Sequence, residues 1–145
     1  MAQTELMSRH PVSGRTAIID RSGDALWFYL TDRESLSPQA DCWLVNLDSS
    51  EQDLAAFREA GLPPPAPLAV VDDSIPAAPD SLDRYRLEWS EDGEAVQALA
   101  DDRTVAFIVA GYKQGFHLVL RVDCPWGNTF DAELHGRLFG SSSSR

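Results

Sequence analysis

The segment Arg84–Val122 constrains the fold more than any other part of the chain. It divides into four short stretches, each separated from the next by a turn signal. In the first stretch Tyr85, Leu87 and Trp89 fall on one face and charged residues on the other, which is the period of two that marks a half-buried strand. The turn signals are rich in Asp and Gly and lie at 90–93, 101–103 and 111–115. The segment therefore predicts a β-meander whose strands run over 84–90, 94–100, 104–110 and 116–122.

The N-terminal part of the chain also predicts strands. Short apolar runs at 16–20 and 25–31 flank the turn residues 21–24, which is the pattern of a hairpin. Because 25–31 is apolar on both faces, we expect a central strand that is covered on both sides. A loop broken by Pro38 should follow over 32–41, and a third strand over 42–47.

One helix is predicted at 50–60. Ser49 is suited to cap its N-terminus, and Phe57 belongs to an apolar stripe that should face the sheet. Gly61 is suited to end it. Beyond it, the prolines of 62–67 predict an extended connector, and 68–71 a short buried strand. A second, short helix near the C-terminus should begin at a cap supplied by Asn128 or Thr129.

These elements define the expected fold class and domain organisation. The chain of 145 residues should form a β-rich α+β fold, in which an antiparallel meander sheet carries the helix at about 50–60. One globular domain should span 15–139. We expect a flexible N-terminus over 1–14 and a disordered, Ser-rich tail over 140–145.

Charge narrows the choice of partners. The chain has 12 basic and 23 acidic side chains, hence a net charge of −11, and residues 72–102 hold ten of the acids against two arginines. A negative field repels phosphate backbones, so nucleic-acid binding is not expected. The same field attracts a basic protein and speeds its encounter.

Membrane insertion and secretion are not predicted. No apolar run approaches the ~20 residues that span a bilayer, and the N-terminus lacks the apolar core of a signal peptide. The expected location is therefore the cytoplasm. Cys42 and Cys124 should be free, partly buried thiols.

No motif predicts catalysis, a metal or a cofactor. The three histidines and two cysteines lack the spacing of a zinc site, and there is no nucleophile elbow or phosphate-binding loop. An enzyme or small-ligand domain with a pocket beneath the meander remains an alternative. Its first candidates are Glu88, Glu91 and His117, with His117 placed on the polar face of a strand.

Several short stretches of the chain together form a pattern: Ile19-Asp20, Gly23-Asp24, Trp27–Tyr29, Leu44–Asn46, Trp89–Gly93, the 101–103 turn, Ala106-Phe107 and Gly115-Phe116. This pattern resembles that of a small bacterial family described only as a domain of unknown function. The similarity covers about 16–118, and beyond Leu118 the chain departs from the family pattern. The resemblance implies a small, bacterial, β-rich domain and brings no catalytic residues.

The function predicted from these observations is non-catalytic protein binding. The expected class is a bacterial immunity or antidote protein that neutralises a basic toxin or effector domain, with homodimerisation through an edge strand as a further option. The predicted contacts are carboxylates, with two aromatic anchors: Asp72, Asp73, Asp101, Asp102, Tyr112 and Trp126. Meander topology should bring the four acids together at one end and leave Glu91 and Asp92 apart from them.

Overall fold

A computed structural model describes eight stretches of the chain, and within them it shows two β-sheets, a 3₁₀-helical turn at Leu82–Arg84 and a short α-helix. The β-rich α+β class expected from the sequence is confirmed. The predicted helix at 50–60, the proline segment 62–67, most of the strand 68–71 and the tail 141–145 lie outside the described residues. Those residues are 5–22, 25–33, 37–46, 71–72, 74–75, 78–79, 81–124 and 126–140.

The first sheet has four antiparallel strands in the order β1-β2-β3-β4. The predicted hairpin is confirmed as β2 and β3. β3 lies between two neighbours and is buried along most of its length, as its continuous apolar run predicted. The strands are β1 (Glu5–Arg9), β2 (Thr16–Ser22), β3 (Ala25–Thr31) and β4 (Pro38–Asn46).

The second sheet contains the predicted meander and has five strands in the order β5-β6-β7-β8-β9. All neighbours are antiparallel except β8 and β9, which are parallel. The prediction of a strand over 94–100 is confirmed, because this stretch forms β6. The strands are β5 (Tyr85–Trp89), β6 (Ala95–Ala100), β7 (Arg103–Val109), β8 (Phe116–His117) and β9 (Asn128–Thr129).

Three sequence predictions about strands were wrong. The N-terminal segment 1–14 was expected to be loose, yet Glu5–Arg9 forms β1 and pairs with β2. β4 begins at Pro38, within the predicted loop. β8 ends at His117, because the chain turns there and the amide of Leu120 donates back to the carbonyl of His117.

The main core lies between the two sheets. Alternate residues of β5 face inward as predicted: Tyr85 is buried, and Leu87 and Trp89 pack against the core. Full burial of each large apolar side chain stabilises the fold by roughly 1.5–3 kcal/mol. Other buried members, contributed by both sheets, are Ala17, Ile19, Leu26, Phe28, Leu30, Cys42, Leu44, Val96, Ala98, Ala106 and Ile108.

The outer face of each sheet is also covered. Trp27 and Trp43 lie on the outer face of the first sheet and pack with Val119 and Leu120. On the outer face of the second sheet, Phe107 is fully buried. Aromatic rings from the C-terminal part of the chain surround it, with centroids 4.8–6.0 Å away: Phe116, Phe130, His135 and Phe139.

The C-terminal helix exists but begins later than predicted. Helix α1 (Ala132–His135) continues into a single π-helical turn, Gly136–Gly140. Its cap is Asp131, whose Oδ1 accepts from the Leu134 amide at 3.0 Å, as cap residues do. Asn128 and Thr129, the expected caps, instead form β9.

The two sheets are joined at opposite margins. On one side, the β4 residue Asp41 donates its amide to Lys113 (3.1 Å) and accepts from the amide of Gly115 (2.8 Å). On the other side, Trp89 Nε1 of β5 donates to Ser8 Oγ of β1 at 2.9 Å. The sheets are therefore tied by hydrogen bonds as well as by the core between them.

Candidate partner-binding surface

Asp101 and Asp102 form the tip of the hairpin between β6 and β7. Both have positive φ, 52° and 66°, and Ala100 pairs with Arg103 on either side of them. This is the two-residue turn with left-handed central residues that fits the twist of a hairpin. Aspartate tolerates that conformation better than most residues, which explains why the D-D pair can occupy the turn.

Each hairpin carboxylate pairs with an arginine of the neighbouring strand end. Asp101 pairs with Arg84, and Asp102 accepts from Arg86 Nη1 at 2.7 Å. Arg86 also contacts Glu88, at 3.1 Å. The Asp101 and Asp102 side chains are 58% and 88% exposed. Exposed pairs of this kind contribute only about 0–1 kcal/mol, so an incoming cation can replace the arginines at small cost.

Asp72 is held in a different loop. Its amide donates to the carbonyl of Val119 at 2.7 Å, and its Oδ1 accepts from Ser74 Oγ at 2.6 Å and from the Ser74 amide at 3.0 Å. The Ser74 hydrogen bonds, with a smaller contribution from nearby Arg121, lower the pKa of Asp72. Asp72 is therefore a carboxylate at neutral pH, while Asp73 lies outside the described residues.

The topology bears on the expected grouping of the acids. The amide of Leu118 donates to the carbonyl of Val105, so the chain beside Asp72 runs toward the end of the second sheet where β7 begins. The 101–102 turn is at that end. Glu91 and Asp92 occupy the β5–β6 turn, at the opposite end of β6, as expected. Among the described residues, however, no hydrogen bond or ion pair joins Asp72 to the 101–102 turn.

The two predicted aromatic anchors differ in exposure. Tyr112 is 47% exposed, and its ring meets Phe116 edge-to-face at 5.6 Å. Trp126 is less exposed than the sequence suggested, because it packs against the cluster that contains Trp27 and Trp43. Its carbonyl also accepts from the Trp43 amide at 2.8 Å. Trp126 therefore contributes to the fold, and Tyr112 is the better placed contact residue.

Tyr112 borders an open depression of about 440 Å³ that the sequence did not reveal. Its walls combine three aromatic rings with two carboxylates. The members come from four separate segments of the chain, and their sequence spacing gives no signal of the site. They include Tyr112, Phe116, Phe130, Asp123, Asp131 and Thr129.

His117 does not lie on a polar face, and that prediction was wrong. It is fully buried and stacks on Trp43 with ring centroids 5.0 Å apart. Burial, with a smaller contribution from Arg103, lowers its pKa to about 4. The ring is therefore neutral and inaccessible to a substrate.

The other residues of the alternative site also lie apart from His117. Glu88 is on the exposed face of β5, and Glu91 is in the turn that follows. The inner face of the meander, beneath which the pocket was expected, packs against the first sheet through Val96, Ala98 and Ile108.

Three further chemical features of the described part of the chain bear on its function. There, no group of three or more His, Cys, Asp or Glu residues is arranged to hold a metal ion. None of the helices in that part has the length and apolarity to cross a bilayer. Cys42 and Cys124 are both free, and Cys42 is fully buried, which raises the pKa of its thiol.

Comparison with protein-family models, curated proteins and solved structures found no match to this chain. The resemblance to a small bacterial family therefore stays a prediction from the pattern of residues.

Proposed function

We propose that this chain is a non-catalytic, cytoplasmic binding domain for a basic protein, of the bacterial immunity or antidote kind. The observation that carries the proposal is the arrangement of charge on the surface. With a net charge of −11, the chain presents Asp101 and Asp102 at a projecting hairpin. These carboxylates are ionically paired yet largely exposed.

The pairing favours a partner that is itself basic. When a lysine or arginine of the partner approaches the hairpin, it competes with Arg84 and Arg86 for oxygens that remain in water. Little desolvation is needed to exchange one exposed pair for another. The long-range field of the acidic surface adds to the association rate, and salt screens that field beyond roughly 10 Å at 0.1 M.

The proposed contacts are those predicted from the sequence, in a revised order. We expect the largest contributions to binding from Asp101, Asp102 and Tyr112, because these side chains are exposed. Asp72 ranks next, because its loop runs toward the same end of the second sheet, and Asp73 is kept as a contact predicted from the sequence alone. Trp126 stands last, because most of its contacts are within the fold.

The proposal is tested with the protein encoded by the adjacent gene, purified and titrated calorimetrically with this chain. We expect the affinity to fall steeply as the salt concentration rises from about 50 to about 300 mM, because salt screens the attraction between the acidic surface and a basic partner. The variant that removes four charges should bind about 30–1,000-fold more weakly, since four lost contacts at ~0.5–1 kcal/mol each amount to about 2–4 kcal/mol. Its substitutions are Asp72→Asn, Asp73→Asn, Asp101→Asn and Asp102→Asn.

A matched control removes the same number of exposed acids elsewhere. It should bind within about twofold of the unmodified chain. Absence of binding to the adjacent gene product, or equal weakening by both variants, would contradict the proposal. The control substitutions are Glu5→Gln, Asp32→Asn, Glu91→Gln and Asp92→Asn, none of which lies at the 101–102 end of the second sheet.

A further inference from the structure

We infer that the depression beside Tyr112 is a pocket for one arginine side chain of a protein partner. This deepens the proposed function and rests on it for the identity of the partner as a basic protein. The pocket, here called the Tyr112 pocket, is formed by Tyr112, Phe116, Asp123, Thr129, Phe130 and Asp131.

The aromatic walls suit a planar cation. Phe116 is almost fully buried and stacks on Phe107 at 4.8 Å, so its ring is held in place from behind. Phe130 is braced against the same Phe107 ring, edge-to-face at 5.4 Å. Tyr112 meets Phe116 edge-to-face at 5.6 Å and is 47% exposed, so its ring is open to an incoming group. A guanidinium stacks on such faces and is attracted by their negative π-surfaces.

The carboxylates are fixed in position and keep acceptor capacity. Asp123 Oδ1 accepts from the Thr129 amide at 2.8 Å and from Thr129 Oγ1 at 3.1 Å. Asp131 Oδ1 accepts from the Leu134 amide. Within the described chain, the second oxygen of each carboxylate has no partner, and a guanidinium offers five donors to such oxygens. Charge complementarity therefore selects a cationic occupant.

The size of the pocket and the neighbouring charges allow an arginine side chain of another protein to enter. A space of about 440 Å³ that opens to solvent admits a flexible side chain from a protein surface. The adjacent cation, Lys113, lines a separate depression with Asp41, and so leaves the pocket to an outside cation. The 101–102 hairpin contributes nothing to the Tyr112 pocket, so the two are independent contacts.

The test uses the full chain labelled with ¹⁵N and the probe acetyl-Gly-Arg-Gly-amide, followed by NMR titration. We expect saturable shifts of backbone amides at 112, 116, 123 and 128–132, with a Kd on the order of millimolar. The matched peptide with citrulline, which keeps the shape but lacks the charge, should leave these amides unchanged. Shifts of equal size with both peptides, shifts confined to other regions, or no shifts would overturn the inference.

Variants separate ring and charge contributions. Tyr112→Ala should lower the affinity for the arginine peptide about two- to fivefold. Tyr112→Phe should bind it as the unmodified chain does, because the guanidinium contacts the face of the ring and not the hydroxyl. Asp131→Asn keeps a good helix cap, and Asp123→Asn keeps an oxygen acceptor for Thr129. Each should weaken the probe at least about twofold, whereas Asp83→Asn, at a distant exposed carboxylate, should have no effect. If none of these variants weakens binding of the arginine peptide more than Asp83→Asn does, the inference would also be overturned.

The test of the Tyr112 pocket and the test of the proposed function can fail independently. If the arginine peptide binds and the adjacent gene product does not, the pocket stands and the choice of partner is wrong. If the adjacent gene product binds and the arginine peptide does not, the acidic hairpin accounts for the complex and the pocket is rejected.

Discussion

Nε2 of His117 lies 2.8 Å from the carbonyl oxygen of Leu44 and so bonds β8 of one sheet to β4 of the other. On the opposite side of the ring, Nδ1 accepts from the amide of Val119 at 3.1 Å. Because Nδ1 must be an acceptor there, the proton is on Nε2, which donates to Leu44. Both ring nitrogens are satisfied only in the neutral form.

The neutral state of His117 predicts a pH dependence of stability. In the unfolded chain the ring takes up a proton near pH 6.5, but in the fold its pKa is about 4. The unfolded state therefore binds more protons between these values, and stability falls as pH decreases from about 6.5 toward 4. The shift corresponds to about 3 kcal/mol. Urea unfolding at closely spaced pH values should show this loss.

The variant His117→Gln removes the titrating group and should flatten that slope. It should also lower stability at pH 7 by roughly 1–3 kcal/mol, because the amide of Val119 loses its acceptor. His135, whose pKa burial also lowers, should contribute in the same direction. An unchanged slope in His117→Gln would show that other groups govern acid stability.

Gly93, in the β5–β6 turn, is expected to be replaceable only at a cost in stability. Its φ is +73°, and an added Cβ would lie 2.4 Å from His10 Nδ1. The ring of His10 is itself fixed, since Nδ1 accepts from two amides. Gly93→Ala should therefore cost about 2–4 kcal/mol, the sum of backbone strain and overpacking.

Gly111 provides the control for this substitution. Its φ is +99°, but an added Cβ would meet nothing within 4 Å, so Gly111→Ala should cost only about 1–2 kcal/mol. Thermal unfolding of both variants isolates the steric part. Because an added Cβ would also lie 2.6 Å from Ser13 Oγ, the rescue removes both neighbours: His10→Ala with Ser13→Ala should make Gly93→Ala less costly than it is in the unmodified chain. An equal cost in both backgrounds would contradict the proposed clash.

Glu94 is expected to stabilise the junction of the two sheets. Its Oε1 pairs with Arg15 at 3.1 Å and its Oε2 with Arg33 at 2.9 Å. The Arg15 side chain is only 12% exposed, and it also donates to the carbonyl of Thr31 at 3.1 Å. Glu94→Gln should cost about 1–3 kcal/mol in urea unfolding, because Arg15 is left partly buried without a counter-charge.

Two comparisons check this expectation. Glu88→Gln removes an exposed partner of Arg86 and should change stability by no more than about 0.5 kcal/mol. A double-mutant cycle between Glu94 and Arg15 should give a larger coupling energy than one between Glu94 and Arg33, which is more exposed. Equal coupling would mean that burial of Arg15 is not the cause.

The 101–102 hairpin should be more stable with other residues at its tip. Both positions have positive φ, for which Asn-Gly is a stronger choice than Asp-Asp. Asp101→Asn combined with Asp102→Gly should raise stability by about 0.5–1 kcal/mol, because glycine adopts positive φ without the strain that a Cβ causes, even though two exposed ion pairs are lost. Thermal unfolding measures the gain.

The same double variant should bind the basic partner more weakly. A gain in stability together with a loss of binding would indicate that the carboxylates serve recognition at some cost to the hairpin. Decreased stability, in contrast, would mean that the pairs with Arg84 and Arg86 are worth more than exposed pairs usually are.

Local patterns predicted most of the strands, because alternation along a strand reports directly on which face is buried. β5 and β3 are the clearest cases. β1 was not predicted because it is an edge strand with little inward apolar surface. Its pairing with β2 depends on contacts that only the rest of the sheet provides. The strand predicted over 116–122 was too long because apolar alternation continues to Val122. In the structure the chain turns after His117, and Leu120 instead forms an isolated β-bridge with Val71.

The sequence predicted the acidic residues of the candidate site but not the contacts that these residues make. The acids of the 101–102 turn could be read from the sequence, but their pairing with Arg84 and Arg86 requires the register of β5 against β6. The partner of His117 is a carbonyl in the other sheet, and the Tyr112 pocket joins segments that meet only in the folded chain. Such contacts leave no mark on local sequence.

The division into two sheets also implies an order of folding. Each sheet pairs strands that are mostly consecutive in the chain, so their hydrogen bonds can form through short loops and at low entropic cost. The bonds between sheets join residues far apart: 73 positions for His117 and Leu44, and 81 for Trp89 and Ser8. Docking of two preformed sheets is therefore the expected late event. Until it occurs, the apolar inner faces of both remain exposed to other chains.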